Sequence, residues 1–285
     1  MKVAVVTDSG SNIYHEGIEM EGLYRLPLQI SDGDRVYLEG ENITTDEIYQ
    51  LIKDGKMLKT SLPPLGRIES LFTELKHQGY DSVFAVPICT GLSSTLSAMI
   101  SAAQEVGIDF DYVDCYSTAY IELHLAMSAR ILFNEGKTVE EVKERLTDSI
   151  NHSGTYIIPN DLNHLARGGR LSPLSATLAG LLKIKPILFL DESTGGKIDP
   201  LTKTRTMGKA IQEVVDLYVK KGVGKGYKIC IAHVWNPEAA QKMFDMMKEK
   251  LEDVEIYITD LISTVGIHTG IGCLATEYIK LVDIK

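Results

Sequence analysis

The sequence predicts an α/β protein of two lobes built on mainly parallel sheets. Short β-branched runs alternate with segments of helical apolar period along the 285 residues, the pattern of strands joined by crossover helices. The first run, Val3-Ala4-Val5-Val6, is continuously apolar, as a strand covered on both faces should be. The polar stretch Asn151-His152-Ser153-Gly154 separates two such successions, which places the lobes at approximately 1–154 and 155–285 of a single domain.

Taken in order, strands are expected at Lys2–Thr7, Ser82–Ile88, Tyr112–Val113, Tyr156–Ile158, Pro186–Leu190, Tyr227–His233 and Glu255–Thr259. Between them lie helices with readable ends. Thr44-Thr45-Asp46-Glu47 offers a capping box before Ile48, Leu51 and Ile52. Ile68, Leu71, Phe72 and Leu75 form an apolar stripe that stops at Gly79. Thr138 opens a helix with Val142 and Leu146 inward, and Pro237 opens one carrying Met243, Phe244, Met247 and Leu251. Residues Asp191–Lys197 read as a hairpin-like insert.

Composition narrows the function. Lys plus Arg number 29 against 39 Asp plus Glu, a formal charge of −10. A phosphate-backbone binder usually carries the opposite sign or a dense basic stripe. The densest basic group here, Lys183, Lys185, Lys197, Lys203, Arg205 and Lys209, is too sparse, so nucleic acid is not the expected partner. No apolar run approaches the ~20 residues of a membrane span, nor the ~7–15 of a signal-peptide core, and a cytoplasmic protein is expected, with membrane contact transient at most. Cys89, Cys115, Cys230 and Cys273 form no C-x-x-C pair and fit no zinc spacing. They read as buried small apolar side chains, and no metal site is expected.

Five segments could carry chemistry. Thr7-Asp8-Ser9-Gly10 follows the first strand, where parallel sheets gather ligands, although a turn with Asp8 satisfying loop amides explains it as well. Thr60-Ser61-Leu62-Pro63-Pro64 sets two hydroxyls before prolines that hold the backbone extended. In Cys89-Thr90-Gly91-Leu92-Ser93-Ser94-Thr95 a strand ends and a small-residue helix begins near Ser93, exposing amides suited to an anion. Simple capping by Ser93 explains the same residues. Ala166-Arg167-Gly168-Gly169-Arg170 offers guanidinium forks ahead of a second small-residue helix, and Arg205 could extend that cationic surface. Gly266-Ile267-His268-Thr269-Gly270-Ile271-Gly272 leads into a G-x-G-x-x-A pattern that reads as strand, turn and helix. It leaves no room for the acidic residue a dinucleotide site needs about 20 positions on.

Two patterns bear on catalysis. Gly136-Lys137-Thr138 lacks the upstream glycine of a phosphate-binding loop, Ile131 standing there instead. Gly91-Leu92-Ser93-Ser94-Thr95 resembles a nucleophile elbow with Thr where the second Gly belongs. With His268 downstream it leaves a serine hydrolase using Ser93 and His268 as the alternative function.

In their order and spacing these segments resemble the DegV family of bacterial fatty-acid-binding proteins, which includes the acyl-carrying FakB subunits of fatty-acid kinase. The resemblance rests on Thr7-Asp8-Ser9, Thr60 to Pro63, Leu92 to Ala98, Gly168-Gly169-Arg170, Lys185-Pro186, the Arg205 segment and His268 to Gly272. It implies two α/β lobes with an acyl chain in a tunnel at and beside their interface. Ser61 and its neighbour Thr60, Ser93, Ser94 and His268 would hold the carboxylate, and Arg170 and Arg205 would face a kinase subunit. A non-catalytic acyl carrier for phospholipid metabolism follows, with a long-chain fatty acid such as palmitate as ligand and no other cofactor. Two positions depart from the family pattern. Ser94 stands in place of a glycine, and Leu62-Pro63-Pro64 in place of Q-P-S.

Overall fold

The apolar run at the start of the chain forms β1 (Val3–Asp8), buried along its whole length, in a computed structural model that describes residues 2–173 and 184–284. Side chains alternate across a strand, and β1 divides accordingly. Val3 and Val5 join one hydrophobic cluster, Ala4 and Val6 another. With β2 (Leu23–Leu26), β6 (Ser82–Ala85) and β7 (Asp109–Tyr112) it makes an all-parallel sheet ordered β2-β1-β6-β7. A small antiparallel sheet, β4-β3-β5, joins β3 (Gln29–Asp32), β4 (Arg35–Leu38) and β5 (Lys59–Ser61).

The third sheet corrects one expectation. Strands β8 (Ser153–Ile158), β9 (Lys185–Leu190), β10 (Asp199–Thr204), β11 (Tyr227–His233), β12 (Glu255–Asp260) and β13 (Leu274–Lys280) run in the order β10-β9-β8-β13-β11-β12. Only β11 and β12 are parallel; the other four pairings are antiparallel. The architecture is α/β as expected, but the parallel rule holds for the first sheet alone. The reasons are the antiparallel run from β8 through β9 to β10, and β13, which inserts antiparallel between β8 and β11. The glycine-rich segment before it therefore ends a helix and enters a strand, the reverse of the order read from the sequence.

The helices are α1 (Thr45–Lys53), α2 (Leu65–His77), α3 (Thr95–Val106), α4 (Ala119–Asn134), α5 (Val139–Asn151), α6 (Leu162–Arg167), α7 (Met207–Lys221), α8 (Pro237–Lys250) and α9 (Ser263–Thr269). Thr44 and Glu47 cap α1 reciprocally, and Thr138 and Glu141 do the same for α5. The stripe Ile68, Phe72 and Leu75 of α2 packs with Met99 of α3 on Val83 and Ala85. Met243 and Met247 of α8 pack with Val214 and Tyr218 of α7 on the third sheet. Between the two large sheets lie α4 and α5, whose Ile121, Leu125, Val142 and Leu146 share a cluster with Val5, Phe84, Ile157 and Ala275. The result is five layers, helix pairs alternating with sheets. The four cysteines are buried and free. The small-residue helix expected after Ser172, and Lys183, lie outside the described residues.

Buried carboxyls tie the layers at their ends. Glu277 of β13 accepts from Thr155 Oγ1 (3.0 Å), Ser117 Oγ (3.2 Å) and the backbone N–H groups of Tyr120 and Ile121 (2.8 and 3.2 Å), so one side chain holds the third sheet to the start of α4. Glu39 accepts from Ser9 Oγ (2.6 Å), Ser263 Oγ, Thr264 N (2.8 Å) and Thr264 Oγ1 (2.9 Å), joining the end of β1 to α9. Asp8 accepts from Gly10 N (2.7 Å) and Ile88 N (3.0 Å). Burial pushes Asp8 and Glu277 each up to about 7. Burial, and next the Asp8 charge, hold Glu122 well above the usual carboxylate range. A Cβ on Gly10 would lie 2.6 Å from Asp8 Oδ1 and 3.1 Å from Glu122 Oε2, so the two carboxyls flank that glycine.

Candidate functional site

The strand ends and loops positioned in this way enclose a cavity of about 420 Å³. Thr60 and Ser61 reach it from β5, whose place is fixed by pairing with Ile30 and Gln29 of β3. They sit on a strand, and Gln29 Nε2 holds the turn that follows by donating to Leu62 O at 2.7 Å. Ile88 and Thr90 to Ser94 reach the cavity from the loop after β6, anchored through Ile88 N to Asp8. The turn-forming role of Asp8 weighed from the sequence is therefore the one it performs. Thr264, Val265, His268 and Thr269 come from α9, Ile198 from the approach to β10, and Arg170 from the turn after α6.

All five head-group candidates, Thr60, Ser61, Ser93, Ser94 and His268, thus line one cavity, although up to 208 positions separate them. Arg170 lines it too, half-buried. Arg205 does not; it lies exposed just beyond the end of β10. Sequence reasoning missed Leu28, Ile198, Thr264 and Val265. Apolar lining residues carry no signal that separates them from core, and Thr264 looks like an ordinary helix residue.

The donors are organised. Leu92 N and Ser93 N both turn back to Cys89 O at 3.1 Å, which leaves the Ser94 amide without a backbone acceptor among the described residues. Ser93 Oγ lies 2.8 Å from Thr95 Oγ1 and accepts from Thr95 N at 3.3 Å, at the mouth of α3. Amides at such an end carry partial positive charge and favour an anion. His268 Nε2 lies 2.7 Å from Thr60 Oγ1. Burial, then the charges of Arg170 and His164, push the imidazole down to about 4, so it is neutral near pH 7. Gly168 makes room for it, since a Cβ there would fall 2.6 Å from His268 Nδ1.

The same bonds bear on the hydrolase alternative. A serine nucleophile needs its base within hydrogen-bond reach and an acid orienting that base. Here Ser93 is engaged by Thr95, His268 by Thr60, and the second imidazole nitrogen faces the Gly168 backbone.

Behind the cavity is a small apolar gap of about 30 Å³, sharing Leu92, Ile198, Val265 and Thr269 with it and continuing past Ile157, Ala232 and Ala275 of the third sheet. The insert after β9 closes the front. Cys89 Sγ lies 3.5 Å from Gly196 O, and a Cβ on Gly91 would meet Gly196 C and O at 2.3 Å. Both partners are backbone and cannot rotate away. Gly91→Ala is therefore expected to lower stability by about 1–3 kcal/mol, the usual range for overpacking, read from urea unfolding.

Among the described residues no group of side chains could hold a metal ion, and no helix is long and apolar enough to cross a membrane. The fold and its cavity define a layered α/β protein with neutral hydroxyl, amide and imidazole groups facing an apolar interior. The chain belongs to the DegV family, since the family model described as "Uncharacterised protein, DegV family" matches residues 2–281. It is 32% identical over 282 residues to Protein DegV of Bacillus subtilis, covering 96% of this chain and 98% of that one. The crystal structure of the fatty acid binding DegV family protein SAG1342 from Streptococcus agalactiae superposes with a TM-score of 0.88 at 28% identity, over 98% of this chain and 99% of that one. The crystal structure of DegV from Bacillus subtilis, described as a fatty acid binding protein, gives 0.85 at 29% identity with the same coverage.

Proposed function

We propose that this protein is a cytoplasmic, non-catalytic carrier that binds one long-chain fatty acid in this cavity and presents it to a fatty-acid kinase. The observation that carries the reading is the convergence of Thr60, Ser61, Ser93, Ser94 and His268 on one cavity that continues into an apolar gap. The fatty-acid binding named for the proteins of Streptococcus agalactiae and Bacillus subtilis supports it.

In this reading Ser61, Ser93 and the Ser94 amide donate to the carboxylate, while Thr60 and His268 form the polar wall beside it. The acyl chain runs inward between the lobes 1–154 and 155–285. The inner gap of about 30 Å³ is far smaller than an acyl chain, so Leu92, Ile198 and Val265 part to admit it. Burying about fifteen methylenes at ~0.8 kcal/mol each contributes on the order of 10 kcal/mol gross, from which chain ordering removes several. The head-group donors then need only orient the carboxylate and satisfy its charge. Neutral donors also leave its oxygens nucleophilic, which suits phosphoryl transfer by a partner that supplies the nucleotide site. Arg170, at the cavity mouth, and the exposed Arg205 form the face offered to that partner.

Denaturing the purified protein and analysing the released lipid by mass spectrometry tests the reading. A fatty acid near one per chain is expected. A protein that carries none and takes up none when fatty acids are added defeats it.

A further inference from the structure

On the far side of the Thr60–His268 hydrogen bond lies a second cleft, of about 290 Å³, which shares only Thr60, Arg170 and His268 with the first. Lys56, Lys59, His164, Arg167 and Arg170 line it, and no carboxylate does. In a chain of net charge −10 such a concentration of positive charge is not accounted for by composition. Lys56 has Asp32 at 3.3 Å across an exposed edge. Arg170 Nη1 donates to Gly168 O at 2.8 Å, and His164 Nε2 lies 2.8 Å from Ile267 O. Among the described residues, Lys59 and Arg167 enter no ion pair.

Taken alone, Arg167 would be explained as a cation in the last turn of α6, complementing the helix carbonyls. That does not account for Lys56, from the segment before β5, or for Lys59, the first residue of β5. Cations brought together from separate elements around one concavity suit an anion with several oxygens and more than one charge. Guanidinium forks and ammonium groups are the usual donors to phosphate. The first cavity offers the contrast: Arg170 is the one cation in its lining, beside hydroxyl, amide and imidazole groups that suit a singly charged carboxylate.

We infer that this cleft binds a phosphate group, held by the Lys59 ammonium and the Arg167 guanidinium, with Lys56 and Arg170 completing the positive wall. The inference does not depend on what fills the first cavity. A phosphate in the cleft sits one side-chain wall, Thr60 and His268, from the head-group donors.

The test is a titration of the full-length protein with inorganic phosphate, followed by NMR of the arginine and lysine side chains and the backbone of residues 56–60 and 164–170. A saturable response is expected, and the Lys59→Ala/Arg167→Ala double variant should weaken it about a hundredfold or more, the equivalent of two lost hydrogen bonds to a charged group. Both side chains are exposed, so the fold is not at stake. Fatty-acid content, measured on the same preparations, should be equal in the two proteins, which separates failure here from failure of the carrier reading. A second arm pellets the protein with vesicles of phosphatidylglycerol or of phosphatidylcholine. Response to free phosphate without pelleting assigns a soluble phosphate. Pelleting with phosphatidylglycerol alone, lost in the double variant, assigns a phosphate carried on a lipid head group. No saturable response in either arm, or a response the double variant leaves unchanged, overturns the inference.

Discussion

Raising the pH from about 6.5 to about 8 is expected to cost this protein roughly 2 kcal/mol of stability or more. The cause is the set of buried carboxyls between the layers. Asp8 and Glu277 are raised from ordinary carboxylate values to about 7 by burial, and Glu39 and Glu122 are raised by the same cause. An unfolded chain has released these protons by about pH 5.5, whereas the folded chain still holds those of Asp8 and Glu277, and Glu39 and Glu122 are shifted in the same direction. The folded state therefore binds more protons, and its advantage fades as pH rises through the folded values. His124 and His268 act in the opposite sense. Burial lowers each to about 4, so the unfolded chain takes up two protons that the folded one refuses. Their effect is confined below the ordinary histidine value of about 6.5, which leaves the carboxyls unopposed above it. Urea unfolding at intervals across the window reads the slope directly, and Glu277→Gln, which keeps the shape and removes the titration, should reduce it. Stability that is flat or rises from about pH 6.5 to about pH 8 would defeat this account.

Those carboxyls also mark the limit of what the sequence discloses. Continuous apolar runs announce β1, β6, β8, β9, β11 and β12, and capping boxes announce α1 and α5, because each is a local pattern. Helix α4 has no such pattern. It lies between two sheets, with ten of its sixteen residues buried, Glu122 and Arg130 among them. A helix covered all round shows no amphipathic stripe. Strand β13 is hidden for a related reason: Glu277 interrupts its apolar run, and it follows a glycine motif that reads as the start of a helix. That one strand is the antiparallel partner of both β8 and β11, so the centre of the third sheet was illegible with it. The hairpin-like insert Asp191–Lys197, by contrast, disclosed the antiparallel pair β9 and β10. The polar wall of the cavity was easier to read, because hydroxyls beside Pro63 and Gly91 and a histidine between glycine-rich turns are conspicuous in isolation. What the residues could not show is their meeting. Thr60 and His268 touch only because β5 and α9 converge.

Removing both head-group hydroxyls, as Ser61→Ala/Ser93→Ala, is expected to weaken fatty-acid binding about a hundredfold or more. A hydrogen bond to a charged group contributes about 1.5–3 kcal/mol, and each factor of ten in affinity is about 1.4 kcal/mol. Two such bonds account for that loss, while the apolar contacts of the chain remain. Ser61 is exposed and Ser93 half-buried, so neither substitution opens a core cavity, and the lost Ser93 bonds to Thr95 lower stability by about 0.5–2 kcal/mol, the usual cost of a removed helix cap. The comparison ligand decides the mechanism. A long-chain alcohol of equal length lacks the charge, so the same double variant should change its affinity by a far smaller factor. Equal losses for acid and alcohol would mean the hydroxyls shape the cavity mouth without reading the carboxylate. The hydrolase alternative separates from the carrier on the same proteins. It requires turnover of an ester that Ser93→Ala alone abolishes, whereas a carrier releases its ligand unchanged. Ser93 is bonded to Thr95, and His268 to Thr60, so the expected result is stoichiometric release with no turnover in either protein.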